Sequence, residues 1–127
     1  ERDAADLQAL GIGVAAICSN DAESHPQDSF ENMERMARER GFTFPYLRDA
    51  DQSVARAYGA ACTPDFFGFN RDLGLQYRGR LDAAGRDPRP EGMRRDLFEA
   101  MREVAQTGEG PRQQVPSMGC SIKWQAA

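Results

Sequence analysis

Residues 62–82, CTPDFFGFNRDLGLQYRGRLD, constrain the fold more than any other stretch, because two periodicities meet there across a turn. Phe66, Phe67 and Phe69 make an apolar run, and Asn70 to Gly74 supply residues that tolerate turn backbone. Leu75, Tyr77, Gly79 and Leu81 then alternate with Gln76, Arg78, Arg80 and Asp82. An apolar strand, a turn and a period of two spell a β-hairpin whose second strand is wet on one face. On this pattern Asp65, Arg78 and Asp82 are expected on a solvated face, although the hairpin could also bring them to the end of a site.

The segments before the hairpin alternate helix and strand. Ala4 to Leu10 has helical composition and stops at Gly11. Gly13 to Cys18, GVAAIC, is a short continuous apolar run, the pattern of a strand buried on both faces of a parallel sheet. From Asp28, DSFENMERMARERG has Glu31 at capping-box spacing, Phe30, Met33 and Ala37 on one face, Glu31–Arg35 and Glu34–Arg38 pairs, and Gly41 as terminator. Phe42 to Leu47 reads as a short strand held to an edge by Pro45. Asp49 and Gln52 resemble a capping box that opens a helix through Val54, Ala55 and Tyr58, ending at Gly59. After a Gly/Pro-rich loop, Leu97, Phe98, Met101, Val104 and Ala105 predict a last helix ending near Gly108. Residues 1–108 thus form one α/β domain, and 109–127 an irregular arm.

Composition removes several function classes. The net charge of −4 is dispersed, which offers no field for nucleic acid or an anionic membrane. Arg86 to Arg95 is the one basic stretch, and Pro88, Pro90 and Gly92 make it a solvated loop by expectation. No apolar run reaches bilayer length, so a soluble, cytoplasmic protein is expected. Cys18, Cys62 and Cys120 are too few and too scattered for a disulfide scaffold or a paired-ligand zinc site, and no metal or cofactor is anticipated. Phosphate loops and dinucleotide glycine patterns are missing from the sequence. His25, the only histidine, lies in a polar segment and is expected exposed, with no Gly-x-Ser-x-Gly turn to support a Ser, His, Asp arrangement.

The pieces AICSND, FTFPYLRD, VARAYGAACTPDFFGF, YRGRLD and GCSIKW resemble a bacterial family of peroxiredoxin-like, thioredoxin-fold proteins related to the AhpC/TSA group. That resemblance implies a three-layer α/β/α thioredoxin-like fold with a mixed central sheet. It also implies a central strand and a Cys-x-x-Cys-type motif upstream of Glu1, with Glu1 to Leu10 as the end of the motif helix. Without that strand the sheet would split between the strand at 13–18 and the one at 65–70. Unpaired buried edges cost roughly 1 to 3 kcal/mol per group, so the chain by itself is expected to be unstable.

Within the resemblance, Thr63 and Pro64 match the cis-proline position, and the Thr63 N–H and C=O are expected to pair with a substrate strand. A trans proline opening the hairpin strand is the plain alternative. Cys62 and Cys120 are the candidate resolving thiols. Cys62 could equally be a small buried side chain, Cys120 could be a thiol covered by the arm with Trp124 as anchor, and Cys18 belongs in the core. The implied activity is thiol–disulfide exchange or thiol peroxidation, with a protein disulfide or peroxide as substrate, a thiol as reductant, no cofactor, and room for a homodimer. The alternative is a non-catalytic binding module that presents the Pro64 loop and the Arg86 to Arg95 segment to a protein.

Overall fold

Left-handed glycines at Gly59 (φ +65°) and Gly108 (φ +82°) stop two helices where the sequence places the stops, since a side chain there would be strained. In the computed structural model, which describes residues 1–126, the elements follow the expected order. They are α1 (Arg2–Ala9), β1 (Ala16–Cys18), a 3-10 turn (Pro26–Asp28), α2 (Phe30–Glu39), β2 (Tyr46–Arg48), α3 (Ser53–Tyr58), β3 (Phe66–Phe69), β4 (Leu75–Gly79) and α4 (Asp96–Thr107). The arm from Glu109 has no helix or strand; its last residue, Ala127, lies outside the described residues.

The hairpin forms in the expected register, Phe66 opposite Gly79 and Phe67 opposite Arg78, with a bulge after Gly68. Asn70 organises the turn by accepting the N–H groups of Asp72 and Gly74. One hairpin face carries the core. Tyr77 packs with Leu7 of α1 and with Leu97, Ala100, Met101 and Val104 of α4, and Ile12, Val14, Phe66, Leu81 and Phe98 close around them. Burial of such side chains contributes about 1.5 to 3 kcal/mol each, which fixes α1 and α4 on one side of the hairpin. Ala100 takes the inward position that the helical pattern gave to Ala105, which is exposed.

β1 and β2 pair in parallel, Ile17 opposite Leu47, and among the described residues no ladder joins them to the hairpin. The strands therefore make two separate two-stranded sheets instead of one mixed sheet. β1 is also shorter than its apolar run and is open on one face. Ile17 and Leu47 stay 44% and 49% exposed, because only the opposite face, with Cys18 and Met33, is covered. The strand after Pro45 starts at Tyr46, leaving Phe42 and Phe44 to stack on each other at 4.8 Å.

Several local expectations are corrected. Ser29, and not Asp28, caps α2 by accepting the Asn32 N–H, because Asp28 is taken up in the 3-10 turn. Of the apolar face of α2 only Met33 is buried, and Phe30 is 57% exposed. The i,i+4 ion pairs of α2 do not close among the described residues; Arg35 turns to Asn32. In α3 the capping carboxylate is Asp49, which accepts from Val54 and Ala55 and from the Ser19 hydroxyl. Burial pushes the Asp49 carboxyl up, and these donors outweigh it, leaving its pKa below the ordinary value. Gln52 does not cap the helix. It is fully buried with φ +63°, and its side chain binds the arm.

The basic stretch is not a solvated loop throughout. Arg89 and Arg95 turn inward onto Asp3, each at 2.6 Å, and reach Asp82 at 2.6 Å and Asp6 at 2.8 Å respectively. Asp82, expected on a wet face, is buried in this network. The network ties the first turn of α1 to the loop before α4. Among the described residues no helix is long and apolar enough to cross a membrane.

Candidate functional site

The residues leading into β3, Ala61 to Asp65, make a short edge that is exposed at Ala61 and Pro64, and the arm returns to it from the far end of the chain. Arm residues first line the outer side of β4. Gln114 accepts the Arg78 N–H at 2.9 Å and donates to the Gln76 carbonyl at 2.8 Å, and Val115 accepts the Arg80 N–H at 3.0 Å. Strand alternation explains this: residues 76, 78 and 80 point their backbone groups away from β3. The arm then crosses to Thr63. There Thr63 donates its N–H to the Cys120 carbonyl at 2.8 Å, and Cys120 donates to the Thr63 carbonyl at 3.1 Å. Beyond it, Lys123 binds Asn20 and Asp21, and Gln52 donates to the carbonyls of Ser19 and Lys123 while accepting from Gln125. Ile122 is buried, and Trp124 stacks under the Arg56 guanidinium.

The Thr63–Pro64 peptide bond is cis, as the resemblance implies. The Thr63 backbone groups, expected to be free for a substrate strand, are occupied by Cys120 of the same chain. All three cysteines are free thiols. Cys120 is exposed, and the Arg86 guanidinium donates to its sulfur. Cys62 is half-buried, its thiol 3.6 Å from the Pro64 carbonyl, in a hollow of about 240 Å³ lined by Ala61, Cys62, Asp65, Arg78, Pro116 and Ser117. Burial pushes the Cys62 thiol up, Asp65 adds to this, and Arg78 offsets part of it, so the protonated form is favoured. Cys18 is buried in β1, with Arg48 3.6 Å from its sulfur.

Asp65 is another correction to the solvated-face expectation. Its side chain is 5% exposed and pairs with Arg78 at 3.4 Å. It also accepts the Ala61 N–H, while Arg78 donates to the Gly59 carbonyl, so the two residues brace the loop on both sides of Cys62. Asp21, Ser24 and His25 lie in contact, with the serine between the other two: its hydroxyl donates to Asp21 at 2.8 Å and touches His25 Nδ1 at 2.9 Å. That order gives the serine no base free to take its proton while a carboxylate orients the ring, so it is not a nucleophile arrangement. Among the described residues no group of three or more His, Cys, Asp or Glu could hold a metal ion.

The sequence marks Arg86 only as part of the basic stretch and Gly119 only as part of the GCSIKW piece, with no sign of a place at this site. A Cβ on Gly119 would collide with the Thr63 carbonyl, so only glycine permits the close main-chain approach. The small residue before Cys120 was the available signal.

Comparison with solved structures supports the compact α/β fold. No curated protein matches the chain. A solved hypothetical protein from Sinorhizobium meliloti is 44% identical, covering 99% of this chain and 69% of that one with a TM-score of 0.86. An uncharacterized conserved protein from Geobacillus kaustophilus is 48% identical, covering 99% and 67% with a TM-score of 0.82. The AhpC/TSA family model matches residues 1–80, from α1 through the hairpin and including the Thr63–Pro64 loop. With more than half of its length matched, the chain belongs to the AhpC/TSA family.

Proposed function

We propose that the protein is a thiol peroxidase or thiol–disulfide oxidoreductase of thioredoxin-like α/β/α architecture, whose primary cysteine lies on a segment upstream of Glu1. That segment supplies a strand between β1 and β3, completing one mixed sheet, and leads into α1. Its cysteine thiolate attacks a peroxide, becoming a sulfenic acid as an alcohol or water leaves. The Cys120 thiolate then attacks that sulfur, water departs, and the disulfide formed is reduced by an external thiol. With a protein disulfide as substrate, the first attack gives a mixed disulfide and the same thiol resolves it. The chemistry runs on thiols alone.

One observation carries the choice of resolving thiol: Cys120 is exposed, held by two main-chain hydrogen bonds to the residue before Pro64, and faced by Arg86. Cys62, pushed toward the protonated form, is the poorer candidate. Family membership supports the redox class.

The test uses the protein extended upstream of Glu1. After peroxide treatment, mass spectrometry should find Cys120 in a disulfide, and Cys120→Ser should halt at the sulfenic acid and lose turnover by at least about a hundredfold. Cys120 found reduced throughout would remove it from the reaction. An upstream segment without cysteine would favour the binding module.

A further inference from the structure

Helix α3 has little packing of its own. It is six residues long and buries only Ala55, while Val54 and Tyr58 are exposed. A helix this short does not persist in water without support from outside it. Much of that support comes from the end of the arm, which runs from one end of α3 to the other. Past the C-terminus of the helix, Cys120 exchanges two main-chain bonds with Thr63. Along its length, the Arg56 guanidinium lies 5.0 Å from the centre of the Trp124 ring. At its N-terminus, Gln125 donates its N–H to the Gln52 side chain and its carboxamide to the Ala50 carbonyl. The remaining supports are Asp49 at the first turn and, at the last, Tyr58 edge-on to Phe67 and Phe69 with Arg78 on the Gly59 carbonyl.

Helix and arm meet at Gln52. This residue immediately precedes α3, is fully buried, and has φ +63°. A residue with a side chain keeps such a backbone only where its surroundings fix it. Both partners supply that fixing. The Gln52 carbonyl accepts the Arg56 N–H of α3, and its carboxamide holds Lys123 and Gln125 of the arm together with Ser19. Without Lys123 and Gln125 the carboxamide keeps Ser19 alone, and the left-handed turn that starts α3 loses most of what holds it.

We propose that α3 and the arm segment 120–125 form one conformational switch with Gln52 as its latch. The two open and close together, so that drawing Cys120 away from Thr63 also frees the start of α3. Release at either end is felt at the other, while the hairpin, α1 and α4 keep their own core. The switch goes beyond the reaction proposed above and requires no redox step.

Amide hydrogen exchange on the full chain under reducing conditions tests it, with one variant at each end. Gln52→Leu alters the latch, and exchange should become at least about tenfold faster at the far end, at Thr63 and Cys120, the equivalent of one net hydrogen bond. Gly119→Ala, whose Cβ would collide with the Thr63 carbonyl, should speed exchange at Ala55 and Gln125 to a similar degree. Met101 should stay protected in both variants. Faster exchange confined to the altered end overturns the proposal, and so does loss of Met101 protection in step with α3. If either variant does not fold, wild type decides. In denaturant below the global transition, Ala55, Thr63, Cys120 and Gln125 should share one opening free energy and one denaturant dependence, both smaller than those of Met101. Separate openings for helix and arm overturn it.

Discussion

Asp3→Ala is expected to lower the unfolding free energy by about 3 kcal/mol, near the low end of the cost of removing one partner from a buried ion pair. Asp3 is 7% exposed and accepts from both Arg89 and Arg95. Removing it leaves two inward-facing guanidinium groups short of an acceptor, although Arg89 keeps Asp82 and Arg95 keeps Asp6. The effect has a pH signature. Burial pushes the Asp3 carboxyl up, but hydrogen bonds from Arg89 and Arg95 and their charge prevail, so its pKa in the fold lies below its ordinary value of 3.8. A depressed carboxyl contributes stability that is complete above the unfolded value and is lost as pH falls through the folded one. The gap between wild type and Asp3→Ala should therefore be constant above about pH 5 and narrow in more acid solution. Denaturant unfolding at a series of pH values measures it, and a gap that does not narrow in acid would show that the charge contributes nothing.

Gln52→Leu should cost about 2 to 4 kcal/mol and loosen the end of the arm. Gln52 is fully buried, and its carboxamide serves Ser19, Lys123 and Gln125 from one position. Leucine fills similar space but leaves two carbonyls and one N–H without that partner, at about 1 to 3 kcal/mol for each buried group that finds no water. The loss should be regional. Hydrogen exchange at Lys123 and Gln125 should rise sharply while the Tyr77 and Met101 core remains protected, since α4 and the hairpin pack independently of Gln52. Uniform loss of protection would mean that the arm is integral to the core.

These sites also show what a linear reading reaches. The hairpin, the glycine stops and the apolar stripe of α4 were legible because each is written within a few residues, as a period or a terminator. The resemblance supplied the Thr63–Pro64 loop and drew attention to Cys120. What escaped depends on long-range partners. Pro and Gly around Arg89 and Arg95 mark an irregular backbone correctly, yet say nothing of two side chains long enough to reach Asp3, 86 and 92 positions away. Asp49 and Gln52 do have capping-box spacing, but the turn between them puts Gln52 at a left-handed position, facing the arm. Arg86 gave no local sign of a sulfur partner, which lies 34 positions along the chain. Ile17 read as buried because an apolar run does not record whether a neighbouring element covers it.

That exposed strand leads to the central claim, that β1 and β3 each keep an edge for a strand from upstream. Ala16 and Cys18 spend their groups on Pro45 and Asp49, so alternation turns the Ile17 N–H to the open side. Arg78 donates away from β3, which makes its partner Phe67 face the open side as well. Hydrogen exchange at the Ile17 and Phe67 amides should be compared between this chain and the protein extended upstream of Glu1. Protection of both amides by at least about a hundredfold on extension is the expected result. Exchange at both that is unchanged by the upstream segment would contradict the claim.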